Sequence, residues 1–323
     1  ICGTGFQTIA DAYDLLTADP PNKMDCILSF ATENMSQTNL IHQGRRKKDS
    51  VWEFEDAPYK DFLLEGFQHY AYRTLMPGTA EKYGAMIGIT RQECDEFAFE
   101  SHEKARKAQL KQWNRFSNPN GNDYLKGSFA VDTVDQDGNE LFVWRDEGTR
   151  YDISIDELSK LRPLLGPGGL VTPGTASQIS DGAASVILMD RAFADKNNVP
   201  YIARIKGYQF STVDPSIMGQ GPVPAINTLL EKFDLKKSDI DLFEVNEAFA
   251  AQYLAVEKEL ELPREITNVN GGAIALGHNI AATGMRIIVD LVYELKRRGQ
   301  KVGIGSACIG GGQGGAILVE VID

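Results

Sequence analysis

Short apolar runs alternate with longer amphipathic segments between residues 183 and 321, and this alternation constrains the fold more than any other feature. The apolar runs have the length and composition of buried strands: "AASVILMD", "IDLFEV", "KVGIGSA" and "GAILVEVI". The amphipathic segments have helical spacing: "PVPAINTLLEKF", "NEAFAAQYLAVEKEL" and "AATGMRIIVDLVYELKRR". Strands that alternate with helices predict an α/β protein whose sheets are covered by helices.

The first 33 residues continue this pattern. Apolar residues recur at helical spacing from Ile9 to Leu16 and predict a helix after the glycines of "CGTGF". The following stretch, "MDCILSFATE", is almost continuously apolar at its centre. Such a run predicts a strand that is buried on both faces, as in a parallel sheet. Cys26 within that strand and Cys94 within a later helix are therefore expected to be packing residues.

The middle of the chain differs from both ends. It is polar and rich in aromatic residues, it contains the turn-like stretches "NPNGND" and "DQDGNE", and one long amphipathic helix is predicted at "RQECDEFAFESHEKARKAQLKQW". We interpret it as an insertion between two α/β halves, of the kind that carries binding function. The predicted units are 1–34 (first half), 35–150 (insertion), 151–195 (return to the first half) and 196–323 (second half).

Charge and cysteine content exclude several classes of protein. The net charge of −12 disfavours nucleic acid and anionic membranes as partners, and no apolar run is long enough for a membrane span. The four cysteines include no CxxC pair, which argues against zinc and against a disulfide scaffold. A reducing compartment is expected, and the pI of about 4.9 favours a cytoplasmic setting with an organellar matrix left open.

Cys2 is the candidate nucleophile. It stands before a glycine-rich turn at the predicted start of a helix, where the helix dipole favours the thiolate. Such positions lower a thiol pKa from about 8.5 to roughly 3.5–7.5. The alternative is a buried structural cysteine, which is the commoner fate of a lone cysteine.

His278 is the candidate general base. It lies in the glycine-flanked stretch "NGGAIALGH" instead of on a periodic apolar face, which is where a core histidine would lie. A histidine there could accept a proton from a thiol or face a developing oxyanion. The other three histidines, His42, His69 and His102, occur in polar contexts and are expected at the surface.

Cys308 precedes "IGGGQGG", which contains a formal GxGxxG match from Gly310 to Gly315. A dinucleotide fingerprint would open a helix, but here a strand and then the end of the sequence follow. These glycines instead predict a tight turn that directs N–H groups toward a carbonyl oxygen. Two cysteines, one histidine and glycine-rich turns together predict acyl transfer through a thioester.

At these stretches the sequence resembles the thiolases, the acetyl-CoA C-acyltransferases. The resemblance runs along essentially the whole chain, through "CGTGFQTIADA", "ENMSQ", "MPGTAE", "VTPGTASQISDGAA", "DPSIMGQGPVPA", "VNEAFAAQ" and the two C-terminal motifs. It implies a five-layer αβαβα fold of two similar halves with an inserted loop domain. It also implies cleavage of 3-ketoacyl-CoA by CoA, or the reverse Claisen condensation.

The resemblance implies a role for each matching residue. Cys2 carries the acyl group, His278 activates it, and Cys308 exchanges protons with acetyl-CoA and CoA. Asn246 holds a water that, with His278, forms one oxyanion hole. The backbone N–H groups of Cys2 and Gly310 form the other.

The resemblance also implies the binding residues and partners. Ser177, Met76 and Met218 line the pantetheine and acyl pocket. Arg45 and Arg46, in "RRKK", would meet the CoA phosphates, although a solvated charge run is the alternative. CoA is a substrate, no metal or other cofactor is required, and a homodimer or homotetramer is expected.

Two departures from the thiolase pattern keep alternatives open. The sequence begins at the nucleophile, so we expect a truncated or processed chain, or a split enzyme completed by a complementing N-terminal chain. The family's "GHP" is "GHN" here, which replaces a restraining proline by Asn279. A non-catalytic acyl-CoA-binding or assembly subunit is the second hypothesis, and a cysteine peptidase is a distant third.

Overall fold

The computed structural model describes residues 1–41, 44–46, 52–54, 59–69, 72, 74–117, 127–135 and 137–322, without the side chains of 44–46, 52–54, 69 and 112–117. The helices are α1 (Thr4–Thr17), α2 (Phe62–Gly66), α3 (Met76–Ile87), α4 (Arg91–Ser117), α5 (Ile155–Lys160), α6 (Arg191–Lys196), α7 (Pro222–Lys232), α8 (Ala250–Leu260), α9 (Ala273–Leu276) and α10 (Thr283–Arg298). The strands are β1 (Cys26–Glu33), β2 (Leu40–Ile41), β3 (Gly44–Arg46), β4 (Trp52–Phe54), β5 (Lys60–Asp61), β6 (Gln68–His69), β7 (Thr74–Leu75), β8 (Val131–Val134), β9 (Glu140–Val143), β10 (Gly182–Met189), β11 (Ala203–Thr212), β12 (Leu242–Val245), β13 (Val302–Ile309) and β14 (Gln313–Val321).

The C-terminal sheet contains four strands in the order β11-β14-β13-β12. β12 and β13 are parallel, whereas β14 is antiparallel to both β13 and β11. Side chains of β14 alternate between two cores: Leu318 faces the core that contains α7 and α8, and Ile317 and Val319 face the core that contains α1 and α10. Both faces of this sheet are therefore covered by helices, and the α/β prediction is confirmed.

The N-terminal sheet consists of β1 and β10 and differs from the prediction. The two strands are antiparallel, so the parallel arrangement expected for "MDCILSFATE" is wrong. Ser29 and Ala31 are buried toward the core that contains α1 and α10, whereas Leu28, Phe30 and Ile187 on the opposite face are 56–66% exposed. Cys26 is exposed on β1, so its assignment to packing is also wrong. Periodicity failed here because both faces of the strand are apolar.

The middle of the chain contributes to the core as well as to the surface. α3 and α4 pack on α8, and Phe97 of α4 stacks on Tyr253 of α8 with ring centroids 4.3 Å apart. Cys94 is fully buried in the same cluster, as predicted. The remaining strands of this region form short two-stranded pairs. In the described ranges no helix combines the length and apolarity needed to cross a membrane.

α1 and α10 cross at their N-terminal ends with very little space between their backbones. A Cβ atom at Gly5 would lie 2.4 Å from the backbone nitrogen of Met285 and 3.0 Å from the carbonyl oxygen of Ala281. A Cβ atom at Gly284 would lie 2.7 Å from the ring of Phe6 and 2.8 Å from its backbone nitrogen. Glycine is therefore required on both helices for this crossing.

The substitution Gly5→Ala should separate the two helices. Because the atoms it meets are backbone atoms that cannot rotate away, we expect a loss of about 1–3 kcal/mol in the free energy of unfolding. Urea denaturation followed by circular dichroism measures it. The matched control is Gly66→Ala, where a Cβ atom meets no atom within 4 Å. Equal effects of the two substitutions would contradict the close crossing.

Candidate active site

Cys2 lies two residues before α1 and beside the end of β13. A Cβ atom at Gly3 would lie 2.4 Å from Ile309, so this part of the chain packs directly on β13. Burial raises the pKa of the Cys2 thiol, while a hydrogen bond from the Gly310 N–H lowers it, and burial is the larger effect. The expectation of a lowered pKa for this thiol is therefore wrong.

Cys308 lies at the end of β13 and is 1% exposed. Burial raises its pKa, and the proximity of Cys2 raises it further. The effect of Cys2 on the Cys308 pKa indicates that the two thiols lie near each other. Around Cys308 lie Met218 and Ala248, with Met76 packed against them.

His278 lies in the loop between α9 and α10 and is 7% exposed. Its Nδ1 is 2.8 Å from the Thr283 hydroxyl, and its Nε2 is 3.4 Å from the amide nitrogen of Asn246. Its own backbone N–H donates to the carbonyl oxygen of Gln178. Burial, together with the positive charge of Arg286, lowers the pKa of His278 to about 4. The imidazole is consequently neutral at physiological pH, as a proton acceptor must be.

Asn246 follows β12 directly, and its backbone N–H donates to the Ser306 carbonyl oxygen of β13. The side-chain oxygen of Asn246 is buried and has no hydrogen-bond partner among the described protein atoms. A buried acceptor of this kind is normally satisfied by a water or a ligand. The amide nitrogen of Asn246 thus lies beside His278, and its side-chain oxygen is available to a water or a ligand.

Glu247 is a functional residue that sequence reasoning missed. Its carboxylate is 1% exposed and accepts hydrogen bonds from Ser101 Oγ at 2.7 Å, Asn268 Nδ2 at 2.9 Å and the Ile274 N–H at 3.3 Å. It thus joins α4 and the loop after α8 to α9, the short helix that precedes His278. The sequence contained one signal that Glu247 belongs to the site, which is its position next to Asn246 in "NEAFA".

The turn between β13 and β14 is formed by the glycines after Cys308. Gly311 and Gly312 have φ angles of +92° and +85°, a region that only glycine adopts without strain. A strand follows the turn, as the sequence predicted, whereas a dinucleotide fingerprint would open a helix. The turn leaves the Gly310 N–H facing the Cys2 sulfur.

A cavity of about 310 Å³ lies beside the segment that contains Ser177. Ala176 and Gln178, the chain neighbours of Ser177, line it, and the Ser177 N–H donates to the Ala248 carbonyl oxygen at 3.0 Å. Apolar walls come from α5, α9 and the residue after α5: Leu158, Ile274 and Leu161. Arg150 contributes a guanidinium to the rim. The side chains of Arg45 and Arg46 lie outside the described residues.

His102 lines the same cavity, and its expected surface position is wrong because it is 2% exposed. Its Nδ1 accepts the backbone N–H of Arg150 at 3.2 Å, which fixes Arg150 at the cavity wall. Burial lowers the pKa of His102 to about 4. The side chains of His42 and His69 are outside the described part of the chain.

The predicted residues therefore fall into two connected groups. In the first group Asn246 lies beside His278 at the end of β12, and Cys2 lies near Cys308 and Gly310 at the end of β13. In the second group Met76 and Met218 pack beside Cys308. The Ser177 N–H donates to the carbonyl oxygen of Ala248, which packs in the same cluster as Cys308. A neutral imidazole, two thiols and inward-facing N–H groups can transfer an acyl group to and from sulfur.

Family models match both parts of the chain: "Thiolase, N-terminal domain" over residues 1–192 and "Thiolase, C-terminal domain" over residues 199–321. The bovine mitochondrial 3-ketoacyl-CoA thiolase is 40% identical over 320 residues, which are 99% of this chain and 77% of the relative.

Solved structures agree with the sequence matches. Human mitochondrial 3-ketoacyl-CoA thiolase is 38% identical with a TM-score of 0.88, over 99% of this chain and 77% of that one. The same human protein in complex with CoA has a TM-score of 0.85 at 38% identity, over 99% of this chain and 76% of that one. The Bacillus anthracis acetyl-CoA acetyltransferase has a TM-score of 0.87 at 37% identity, over 99% of this chain and 77% of that one.

The burial of His102 predicts a specific pH dependence of stability. Its pKa is about 4 in the fold against 6.5 for a free histidine, so unfolding takes up a proton and the folded state loses stability as the pH falls from 6.5 to 4. The full loss is about 3 kcal/mol. The variant His102→Gln has no imidazole at this position and should not lose this stability as the pH falls. The difference in free energy of unfolding between wild type and variant should therefore change by about 3 kcal/mol between pH 7 and pH 4, at the expense of the wild type.

Urea unfolding between pH 7 and pH 4 measures that difference. His278 and the Asp290 carboxyl, whose pKa burial raises to about 6, titrate in both proteins and cancel from it. A difference that stays constant with pH would contradict a buried neutral His102.

Proposed function

Because the chain belongs to the thiolase family and is an acyltransferase, we propose that it cleaves 3-ketoacyl-CoA with CoA through an acyl-Cys2 intermediate, and catalyses the reverse condensation. The observation that supports the proposal is a neutral His278 whose Nε2 lies beside Asn246, together with two buried thiols that lie near each other. The proximity of Cys2 raises the pKa of Cys308, and Asn246 and Thr283 lie beside the two nitrogens of His278.

In the first half-reaction the Cys2 thiol gives its proton to Nε2 of His278, and the thiolate attacks the 3-keto carbon of the substrate. The carbonyl oxygen becomes an oxyanion. When it re-forms the carbonyl, the bond between C2 and C3 breaks, and the acetyl-CoA enolate leaves. The Cys308 thiol protonates that enolate at carbon. The products of this half are acetyl-CoA, an acyl thioester on Cys2, a Cys308 thiolate and a protonated His278.

In the second half-reaction the Cys308 thiolate takes the proton from the thiol of CoA. The CoA thiolate attacks the thioester carbon, and the Cys2 sulfur leaves and recovers its proton from His278. The shortened acyl-CoA departs and every group returns to its starting protonation state. Burial keeps all three groups neutral between turnovers, because it raises both thiol pKa values and lowers the histidine pKa.

Two groups of donors would stabilise the oxyanions. The N–H groups of Cys2 and Gly310 are close to the Cys2 sulfur and would receive the oxyanion of the acyl carbon. Asn246, through a water bound at its side-chain oxygen, would act with His278 on the oxygen of the acetyl-CoA enolate. Removing one donor of this kind typically costs about 2.7–4 kcal/mol of transition-state stabilisation.

The cavity beside Ser177 is the proposed site for CoA. Its apolar walls suit the pantetheine arm, and Met76 and Met218 would contact the acyl chain near Cys308. Arg150 at the rim, with Arg45 and Arg46, would supply positive charge to the CoA phosphates in a chain of net charge −12. The human relative crystallised with CoA supports CoA as the ligand. A homodimer or homotetramer is the proposed assembly.

The acyl-enzyme predicts a covalent adduct. After brief exposure of the protein to acetoacetyl-CoA, intact mass spectrometry should show one acetyl group, which is absent from Cys2→Ala. Cys26→Ala is the matched control, because Cys26 is an exposed thiol that has no part in the mechanism.

The adduct experiment also separates the two hypotheses. Acetylation of Cys2→Ala to the wild-type level would remove Cys2 as the nucleophile. Binding of CoA by the wild type with no adduct would instead support the non-catalytic acyl-CoA-binding subunit.

Arg150→Ser should raise the KM for CoA about tenfold with little change in kcat, because a charged hydrogen bond to phosphate is lost in both the ground state and the transition state. Steady-state kinetics at low salt measure it, and added salt should reduce the difference. The combined change Arg45→Ser and Arg46→Ser should act in the same direction. Arg191→Ser, on the distant α6, is the control, and an equal effect there would contradict a specific phosphate contact.

A further inference from the structure

Asn279, which follows the histidine directly, makes contacts that connect it to the imidazole. Its side-chain oxygen accepts a hydrogen bond from the Thr283 hydroxyl at 2.9 Å, and its carbonyl oxygen is 3.2 Å from the same hydroxyl. The Thr283 oxygen is in turn 2.8 Å from Nδ1 of His278. Thr283 is fully buried. The three residues therefore form a continuous chain of hydrogen bonds at the start of α10.

The direction of each hydrogen bond in this chain follows from the number of protons. A threonine hydroxyl has one proton, and both atoms that Asn279 presents to it are oxygens, which can only accept. The Thr283 proton is therefore committed to Asn279, and Thr283 can only accept from the imidazole. Nδ1 of His278 must then carry the ring proton. Nε2 then carries the lone pair, which makes it the proton-accepting nitrogen of the ring; the Asn246 amide nitrogen lies 3.4 Å from it.

The structure also makes space for the Asn279 side chain. A Cβ atom at Gly182, the first residue of β10, would lie 1.8 Å from the Asn279 amide nitrogen and 2.7 Å from its side-chain carbonyl carbon. The amide thus packs directly over the backbone of β10. Glu33 on the neighbouring strand accepts the Ala281 N–H at 3.2 Å and holds the same loop.

We propose that Asn279 is a positioning residue for the base: its side-chain oxygen orients the Thr283 hydroxyl, which keeps the proton of His278 on Nδ1 and leaves Nε2 free to accept. Asn279 acts on the imidazole through Thr283. The proposal rests on the proposed function, in which Nε2 of His278 takes the Cys2 proton.

A double-mutant cycle on kcat tests whether Asn279 acts through Thr283. Asn279→Ala should lower kcat about fivefold with KM unchanged, because one hydrogen bond is lost, and Thr283→Val should lower it about fiftyfold, because a buried donor is left unpaired. In the Thr283→Val background, Asn279→Ala should cost less than about twofold. Thr283→Ser, which keeps the hydroxyl, should remain close to wild type.

The same fivefold loss in both backgrounds would overturn the proposal, because Asn279 would then act independently of Thr283. Asn227→Ala is the matched control for the substitution itself, since Asn227 is exposed on α7. Gly182→Ala is a second variant that should remove the contribution of the Asn279 side chain to kcat. It should lower kcat by displacing the Asn279 amide, and it should have no further effect once Asn279 is alanine.

A spectroscopic measurement on the resting protein does not depend on turnover or on the folding of the valine variant. Nitrogen-15 NMR of labelled histidine distinguishes the two neutral tautomers, and His278→Gln identifies the signal. The wild type should carry its proton on Nδ1. In Asn279→Ala the Thr283 hydroxyl keeps only the more distant acceptor, the backbone carbonyl oxygen at 3.2 Å, so part of the population should shift to the Nε2–H tautomer. An unchanged pure Nδ1–H signal in the variant would overturn the proposal. Failure of the wild type to form the acyl-Cys2 adduct would instead overturn the proposed function.

Discussion

The close crossing of α1 and α10 is the constraint on which the site depends. The nucleophile precedes the first helix and the histidine precedes the second, so the distance between the two helix starts determines whether a thiol can reach a base. Glycines at positions 5 and 284 remove the side chains that would keep the backbones apart. The tight turn after β13 then completes the site, because Gly3 packs on Ile309 and brings the Gly310 N–H to the sulfur.

Burial sets the electrostatics of the site. Burial raises both thiol pKa values and lowers that of His278, which favours the neutral form of all three groups. Charge therefore develops only when a carbonyl is present to accept it and N–H groups are in place to stabilise it. A helix N-terminus alone would have favoured a permanently ionised thiol, which oxidises more readily.

The sequence allowed the C-terminal half to be predicted well, because its strands and helices have strong and different periodicities. The orientation of β1 could not be predicted, since a strand with two apolar faces does not reveal its partner or its exposed side. The burial of His102 and the direction of the Cys2 pKa depend on residues distant in sequence, which no local pattern contains. Glu247 and Thr283 were adjacent to recognised motifs, but their roles required the contacts. The division of the chain at 34, 150 and 195 stays a prediction.

The exposed apolar face of β1 and β10 has a consequence for how the protein behaves at high concentration. Leu28, Phe30 and Ile187 form an exposed apolar patch on the sheet of β1 and β10. Exposed apolar strands associate readily with other extended chains. The net charge of −12 opposes such self-association through mutual repulsion. Colloidal stability is thus a balance between a local hydrophobic attraction and a global repulsion, and added salt shifts it toward aggregation by screening only the repulsion.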